Sequence, residues 1–247
     1  ETNNIFEDSL RNMFSLSLLL EFNARNVPYP IERIKLEKRY PLNNKNKCDL
    51  FVSFKDMVDK VRNEHFGMCE ENWIEIKYFG GFGRRAKGVE TVTENIGKIL
   101  NDILRLCLFV DELQGEIRKN GRYLICIFDR KPKEYLANLS NSDWLNNIFR
   151  ENVKDIDIDF NNLKHSTKKA IKSFNVKNLQ IKLWIDTKSF YPLTSSGYGT
   201  FYGFLIKIFA FEVILGDLKL EYSDFTDISW DNGKKEIHRQ ILETLKS

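Results

Sequence analysis

The chain has 247 residues, of which 42% are hydrophobic and 30% charged, and its 38 basic residues nearly balance its 35 acidic residues. This composition excludes a disordered or low-complexity chain, and the length is sufficient for one large folded domain. The net charge of +3 neither requires nor excludes a nucleic-acid partner, because phosphate binding depends on local clusters of Lys and Arg.

The cysteine pattern argues against a zinc site. Cys48, Cys69, Cys107 and Cys126 show no Cys-x-x-Cys spacing, and the three histidines are far apart in the sequence. All of these cysteines except Cys69 lie in apolar runs, where we expect small core residues in a reducing, cytoplasmic environment.

Two apolar runs bear on membrane insertion. The run 14–20 follows Glu7 and Asp8 and not a basic segment, which argues against a signal peptide. The run 201–215 is interrupted by charged residues and is short for a bilayer span. We therefore expect a soluble protein with no membrane partner.

Residues 6–25 predict a first helix, because apolar side chains recur at spacings of three and four, at Phe6, Leu10, Met13 and Phe14. Three leucines, Leu16, Leu19 and Leu20, widen this apolar face, so we expect the helix to be nearly buried. Glu21 lies on the same stripe. A buried, unpaired carboxylate is costly, so Glu21 either reaches solvent near the helix end or points into a functional site. The sequence leaves both alternatives open.

Two strands are predicted after this helix, at 31–40 and 48–54, with a turn at 41–46 between them. Pro30 ends the helix because proline cannot continue the helical hydrogen-bond pattern. Asp49 stands at the start of the second, otherwise apolar strand. This position makes it a candidate functional carboxylate.

Residues 55–72 are polar, with a short helix predicted near 57–61, and a third strand follows at 73–79. In this strand Glu75 and Lys77 are two residues apart and share one face. Such a pair is commonly a solvated ion pair on a half-exposed sheet. It can also be a metal ligand beside a charge-stabilising cation, and the neighbouring elements favour this second interpretation.

Residues 80–88 form a glycine-rich segment with three cations, Arg84, Arg85 and Lys87. The glycine spacing of a phosphate-binding loop is absent. The segment is therefore either a loop that contacts a polyanion or an ordinary solvated surface loop.

The helix predicted at 91–117 has the clearest pattern in the chain. Thr91 and Glu94 form a capping box, and the apolar face continues as far as Ile117. The strand predicted at 123–128 is apolar on both faces, which is typical of a central strand covered on both sides.

The second half predicts helices over 132–150, 163–174 and 234–246, and strands over 179–185 and 204–215. The helix at 163–174 is basic and carries four lysines, Lys164, Lys168, Lys169 and Lys172. We find no repeat and no linker, so we expect a single domain with a core at 1–130 and additional elements at 131–247.

In order, the first half runs helix, strand, strand with Asp49, strand with Glu75 and Lys77, helix, strand. This arrangement resembles the PD-(D/E)xK nuclease superfamily, which has an Asp at the start of one strand and Glu-x-Lys or Asp-x-Lys on the next. Cys48 stands where the family pattern has a proline. The resemblance covers residues 6–129 and rests more on the element order than on the short motif.

The resemblance implies an α/β fold with a restriction-endonuclease-like core, in which a central mixed β-sheet is flanked by α-helices. It implies Mg²⁺ as cofactor, replaceable by Mn²⁺, held by the carboxylates of Asp49 and Glu75 and the carbonyl of Ile76. Lys77 would stabilise charge on the reacting phosphate or activate water, and Glu21 would supply an additional acid.

The implied activity is cleavage of double-stranded DNA by a homodimeric endonuclease of the restriction or defence type. The cations of 80–88 and the lysines of 163–174 would contact phosphates, which gives affinity without sequence information. The polar segment 191–203 is a candidate for contacts with base edges.

Two alternatives remain open. The protein could be a nuclease that cuts RNA or a particular DNA structure, since the metal site does not specify the substrate. It could also be a non-catalytic nucleic-acid-binding or assembly subunit that keeps the fold. Asp49, Glu75 and Lys77 together favour a catalytic protein, because a binding module does not need all three.

Overall fold

The structure is a computed structural model that describes residues 2–55, 57, 69–80, 92–110, 120–129, 131–136, 143–195, 199–224 and 231–246. The helices of these residues are α1 (Thr2–Ala24), α2 (Pro30–Arg33), α3 (Val92–Leu108), α4 (Pro132–Leu136), α5 (Asp143–Ile148), α6 (His165–Ala170) and α7 (Asn232–Lys246). Their strands are β1 (Ile34–Leu36), β2 (Arg39–Tyr40), β3 (Asn43–Lys47), β4 (Leu50–Ser53), β5 (Glu71–Phe79), β6 (Asn120–Phe128), β7 (Asn152–Asp159), β8 (Leu179–Ser195), β9 (Gly199–Leu215) and β10 (Leu218–Ser223).

One large mixed sheet organises the described part of the chain, with strand order β1-β4-β5-β6-β9-β8-β7 and β10 beside β9. β5 and β6 are parallel, and the other neighbouring strands are antiparallel. The parallel pair requires a crossover connection, which contains α3. The prediction of an α/β fold with a central mixed sheet flanked by helices is confirmed.

The sheet is covered on both faces near β5 and β6. On one face Trp73 and Phe79 of β5 belong to the same apolar cluster as the buried side of α3. On the other face Ile74 and Ile76 pack in a second cluster with Leu10 and other residues of α1. All of β6 is buried, as its apolar character on both faces predicted.

The buried stripe of α1 differs from the predicted one. Leu10 and Phe22 are buried, whereas Met13, Leu16 and Leu20 are exposed. Apolar residues occur around most of this helix, so spacing alone did not decide which side packs on the sheet.

Residues 31–40 do not form one strand, and this prediction is wrong. Residues 30–33 form α2, in which the buried Arg33 donates hydrogen bonds to the carbonyl oxygens of Pro28 (2.7 Å) and Ser53 (3.3 Å). The predicted turn at 41–46 is also largely wrong, because β3 pairs there with β2 in a separate two-stranded sheet. Polar Asn and Lys residues dominate β3, so it lacks the apolar alternation that identifies a strand.

The second half contains more strand than the sequence predicted. β7 and β10 were missed, and 191–203, predicted as a polar loop, lies largely within β8 and β9. In β7 the aspartates alternate with the buried Ile156 and Ile158, and Asp has a low strand propensity. The helix predicted at 163–174 is limited to α6, because the chain beyond it buries Ile171 and Phe174 outside a helix.

None of the described helices is long and apolar enough to cross a membrane. The short helix predicted near 57–61 lies almost entirely outside the described residues, as do residues 111–117 of the helix predicted at 91–117. α3 ends at Leu108, so the prediction that the helix continues is wrong at Phe109 and Val110.

The contact between α3 and α6 depends on Gly97. A Cβ atom on Gly97 would lie 2.4 Å from the Ala170 Cβ and 2.7 Å from the Thr167 carbonyl oxygen. Ala is favoured over Gly in a helix by about 1 kcal/mol, but overpacking costs about 1–3 kcal/mol. We therefore predict that Gly97→Ala lowers the urea midpoint of unfolding.

Gly233→Ala in α7 is the control, because the nearest atom to its Cβ would be a side-chain oxygen of Asp231 at 3.2 Å. We expect this variant to keep or raise the midpoint. A Gly97→Ala protein as stable as Gly233→Ala would contradict the close packing of α3 on α6.

Candidate active site

Asp49 directly precedes β4 and lies against the middle of β5. Leu50, the first residue of β4, pairs with Ile74 of β5, and the pairing of the two strands ends there. The Asp49 Oδ2 atom accepts a hydrogen bond from the Ile76 backbone N–H at 2.8 Å. The charge of Asp49 also acts on Glu75, whose pKa it raises, so the two carboxylates lie near each other.

The Glu75 side chain is completely buried, with 0% of its surface exposed. Its Oε1 atom accepts a hydrogen bond from the Tyr40 hydroxyl and lies 3.0 Å from Arg105 Nη2. Burial raises the pKa of Glu75 well above its usual value, and the nearby Asp102 raises it further, while Arg105 opposes this shift.

Tyr40 is fixed by aromatic packing. Its ring stacks on Trp73 with the ring centroids 5.2 Å apart, and it contacts Phe109 edge-on. Burial, reinforced by the charge of Glu75, raises the pKa of the Tyr40 hydroxyl. The hydroxyl therefore stays protonated near neutral pH and donates its hydrogen bond to Glu75.

Lys77 lies on the same face and contacts α3. Its Nζ atom is 3.1 Å from Asp102 Oδ2, and Asp102 also forms an ion pair with Arg105. Four charged residues therefore form a continuous chain in the order Glu75, Arg105, Asp102, Lys77. Burial lowers the pKa of Arg105, but the carboxylates of Asp102 and Glu75 outweigh this effect and raise it overall.

The solvent-facing side of this cluster is formed by Asp49, Lys77 and Arg105, whose side chains are 13%, 16% and 14% exposed. Arg11 of α1 also reaches this side, with Nη1 3.5 Å from Asp49 Oδ1 and 3.2 Å from Glu37 Oε1. A ligand would therefore meet Asp49, Lys77 and Arg11 before the buried Glu75.

Tyr40, Asp102, Arg105 and Arg11 belong to the site but were not predicted from the sequence. Asp102 had a detectable signal, because it lies on the apolar face of the helix between Ile99 and Leu106, where a carboxylate requires a partner. Arg105, three residues later, is the obvious candidate for that partner. Tyr40 and Arg11 reach the site from separate elements, which no local pattern predicts.

Glu21 does not lie where a site acid was expected. Its side chain is 49% exposed and forms an ion pair with Arg25, which lies just beyond the end of α1. The expectation that its carboxylate points inward is wrong, and it is a helix-end residue. It is therefore not included in the cluster around Glu75.

Of the residues predicted to contact phosphates, the structure describes the four lysines of 163–174 but not the three cations of 80–88. Arg84, Arg85 and Lys87 lie outside the described residues. In and around α6, Lys164, Lys169 and Lys172 are exposed, whereas Lys168 is partly buried and donates a hydrogen bond to the Asn161 carbonyl at 2.9 Å. Their role in phosphate binding stays a prediction.

The donor atoms around Asp49 and Glu75 suit a hard divalent cation. Within the described ranges, no three side chains of His, Cys, Asp or Glu come together as a metal-ion cluster. The donor set would instead be two carboxylates and the Ile76 carbonyl, which points to the same strand edge as the Ile76 N–H that meets Asp49. The Glu75 Oε2 atom is buried without a hydrogen-bond partner among the described residues, as expected of an atom that accepts a cation.

No protein-family model matches the chain, and no curated protein or solved structure matches it. The resemblance to the PD-(D/E)xK superfamily therefore rests on the residues and on the order of the elements.

Because Arg105 pairs with both Glu75 and Asp102, we expect its substitution to lower the stability of the fold strongly. Arg105→Met leaves two buried carboxylates without their shared cation, and breaking such a buried pair costs about 3–5 kcal/mol. We predict a correspondingly lower free energy of unfolding for this variant at pH 7, measured by urea denaturation.

Arg239→Met is the matched control, since Arg239 forms an exposed ion pair with Glu236 in α7. Exposed pairs contribute little, so we expect a nearly unchanged midpoint. Equal effects of the two substitutions would show that Arg105 is not buried between Glu75 and Asp102.

Proposed function

We propose that this chain is a metal-dependent endonuclease that hydrolyses phosphodiester bonds of double-stranded DNA, of the restriction or defence type. One observation carries the proposal. Asp49 accepts a hydrogen bond from the Ile76 backbone N–H of β5, and Glu75 and Lys77, on either side of Ile76, both contact α3.

The order of the elements supports a restriction-endonuclease-like core. α1 is followed by the antiparallel strands β1, β4 and β5, then by the crossover helix α3 and the parallel strand β6. The short β2 and β3 are inserted between β1 and β4 and form their own sheet. Helix, three strands, helix and strand is the order on which the resemblance rests.

The residues of the site are suited to phosphodiester hydrolysis. Asp49, the Oε2 atom of Glu75 and the Ile76 carbonyl would hold Mg²⁺ or Mn²⁺. When bound, such an ion supplies charge neutralisation at the phosphate and water of lowered pKa near neutral pH. Asp49 orients its donor oxygens through the Ile76 N–H, so this part of the site is preorganised by the strand itself.

Lys77 supplies positive charge at the solvent-facing side of the site. Its ion pair with Asp102 favours the ammonium form, which cannot accept a proton from water. We therefore assign Lys77 the stabilisation of negative charge developing on the reacting phosphate. Arg11 lies on the same side and provides a second cation near Asp49.

DNA would be held mainly through its phosphates. The exposed lysines at 164, 169 and 172 and the cations of 80–88 are the proposed contacts, and the protein would act as a homodimer. RNA or a particular DNA structure are alternative substrates that a cleavage panel separates.

A second candidate function is a non-catalytic nucleic-acid-binding subunit. The observation in its favour is that the acidic and basic side chains of the cluster pair with one another. The three carboxylates of Asp49, Glu75 and Asp102 face the three cations of Arg11, Lys77 and Arg105. In that case the cluster would serve stability alone.

Substitution of the carboxylates decides between the two functions. We predict that Asp49→Asn and Glu75→Gln each reduce Mg²⁺-dependent cleavage by about 100-fold or more, as expected when charge stabilisation at the reacting centre is removed. Cleavage is measured on plasmid DNA, branched DNA and RNA, and metal binding by calorimetry. Lys77→Met should lose turnover but still bind the metal.

Glu212→Gln is the control, because Glu212 pairs with Lys219 on the β9–β10 side of the sheet. This variant should cut at the wild-type rate. Cleavage by Glu75→Gln at that same rate would overturn the proposed function.

The three cations of the glycine-rich segment 80–88 allow an independent test of DNA binding. Replacing Arg84, Arg85 and Lys87 together with Ala should weaken binding to all sequences equally. The slope of log affinity against log salt should flatten by up to about 0.9 per lost phosphate contact. An unchanged slope would show that the segment does not touch the backbone.

A further inference from the structure

Glu75 and Lys77 form their ion pairs with residues of α3. They are two residues apart on β5, so their Cβ atoms are separated by about 6.6 Å, a distance that two long side chains can close to form an ion pair. The structure shows a different pairing, in which Glu75 contacts Arg105 and Lys77 contacts Asp102. Both partners belong to α3.

The pairing follows from the direction of α3. β5 and β6 are parallel, so the crossover helix between them runs back, opposite to β5. Along β5 the order of charge is negative at Glu75 and positive at Lys77. Along α3 it is negative at Asp102 and positive at Arg105. Because the two elements run in opposite directions, each charge of the strand faces the opposite charge of the helix.

The spacing of the two charges on α3 also matches the spacing of the two charges on β5. Three residues of helix rise about 4.5 Å, and two residues of strand about 6.6 Å. Asp102 and Arg105 therefore lie on one side of α3 at a separation close to that of Glu75 and Lys77. Their own ion pair ties the two contacts together.

We propose that Asp102 and Arg105 are positioning residues of the candidate active site, which hold Lys77 and Glu75 apart and fix where the ammonium and the carboxylate point. The inference rests on the proposed function and extends it to a motif on the crossover helix, Asp102-x-x-Arg105. Neither residue is assigned a contact with substrate or metal; both act through the strand.

Separation of the two strand charges has a chemical consequence. A direct ion pair between Glu75 and Lys77 would occupy carboxylate oxygens that the site needs as cation donors. With Arg105 and Tyr40 both on Oε1, Oε2 stays without a hydrogen bond among the described residues. The ammonium of Lys77 contacts Asp102, with its Nζ atom 3.1 Å from Oδ2.

Asp102→Asn tests the positioning role, since it keeps the shape of the side chain and removes its charge. In single-turnover cleavage with saturating Mg²⁺, we expect a rate about 10- to 100-fold lower, as for a misplaced catalytic group. DNA affinity measured without metal should change less than threefold, because Asp102 is buried and not at the DNA surface.

Asp224→Asn is the matched control. Asp224 is also a largely buried carboxylate near two cations, 4.0 Å from Arg122 and 3.9 Å from Lys207. It belongs to the β9–β10 side of the sheet. This variant should lose stability but keep its cleavage rate within about twofold of wild type.

A double-substitution cycle supplies a readout that needs no activity. Unfolding midpoints without metal are compared for Asp102→Asn, Lys77→Met and the double variant. If Asp102 acts through Lys77, the double variant loses clearly less stability than the two single losses added together. Additive losses would overturn the inference.

The results of these experiments distinguish a failure of the proposed nuclease function from a failure of the positioning role of Asp102 and Arg105. A wild-type protein that cleaves no substrate overturns the proposed function, while the unfolding cycle still measures the pairing of Asp102 with Lys77. A wild-type protein that cleaves, with Asp102→Asn as fast as Asp224→Asn, overturns the positioning role and leaves the proposed function standing.

Discussion

The contact of the buried Glu75 carboxylate with Arg105 is the interaction on which the proposed site depends. A carboxylate with no exposed surface is strongly destabilising unless cations and hydrogen-bond donors face it. Arg105 and Tyr40 supply these to one oxygen of Glu75. The second oxygen, buried and without such a donor among the described residues, is the feature that turns a structural ion pair into a candidate cation site.

The fold explains why these groups meet. β4 and β5 are antiparallel, and Leu50 at the start of β4 pairs with Ile74, so Asp49, the preceding residue, meets β5 at Ile76, next to Glu75. β5 and β6 are parallel, so α3 must cross the face of the sheet on which Glu75 and Lys77 lie. The Tyr40 ring, stacked on Trp73, closes the same side. The chemistry of the site thus follows from one antiparallel and one parallel strand pairing.

The elements that carry the site could be predicted from the sequence wherever a segment had one clear hydrophobic pattern. Alternation located β5, the long apolar face located α3, and apolar character on both sides identified β6 as a central strand. The position of Asp49 beside Glu75 followed from the element order. Prediction failed where patterns were weak or ambiguous. α1 is apolar around most of its circumference, so its buried stripe and the exposure of Glu21 could not be derived from spacing.

The ion-pair partners could not be predicted for a different reason. Arg105 and Asp102 are distant from Glu75 and Lys77 in sequence, and their pairing depends on the direction and the rotation of α3 against the sheet. In hindsight, a buried carboxylate on an apolar helix face, followed by an Arg three residues later, signals that the opposite strand carries charge.

We propose that Asp49 and Glu75 hold a divalent cation. Anomalous diffraction from crystals soaked in Mn²⁺ tests it most directly, because it locates the ion without reference to any substrate. The account predicts one peak in contact with the Asp49 carboxylate, the Oε2 atom of Glu75 and the Ile76 carbonyl. Absence of a peak there at saturating Mn²⁺, with Glu75 still held by Tyr40 and Arg105, would contradict it.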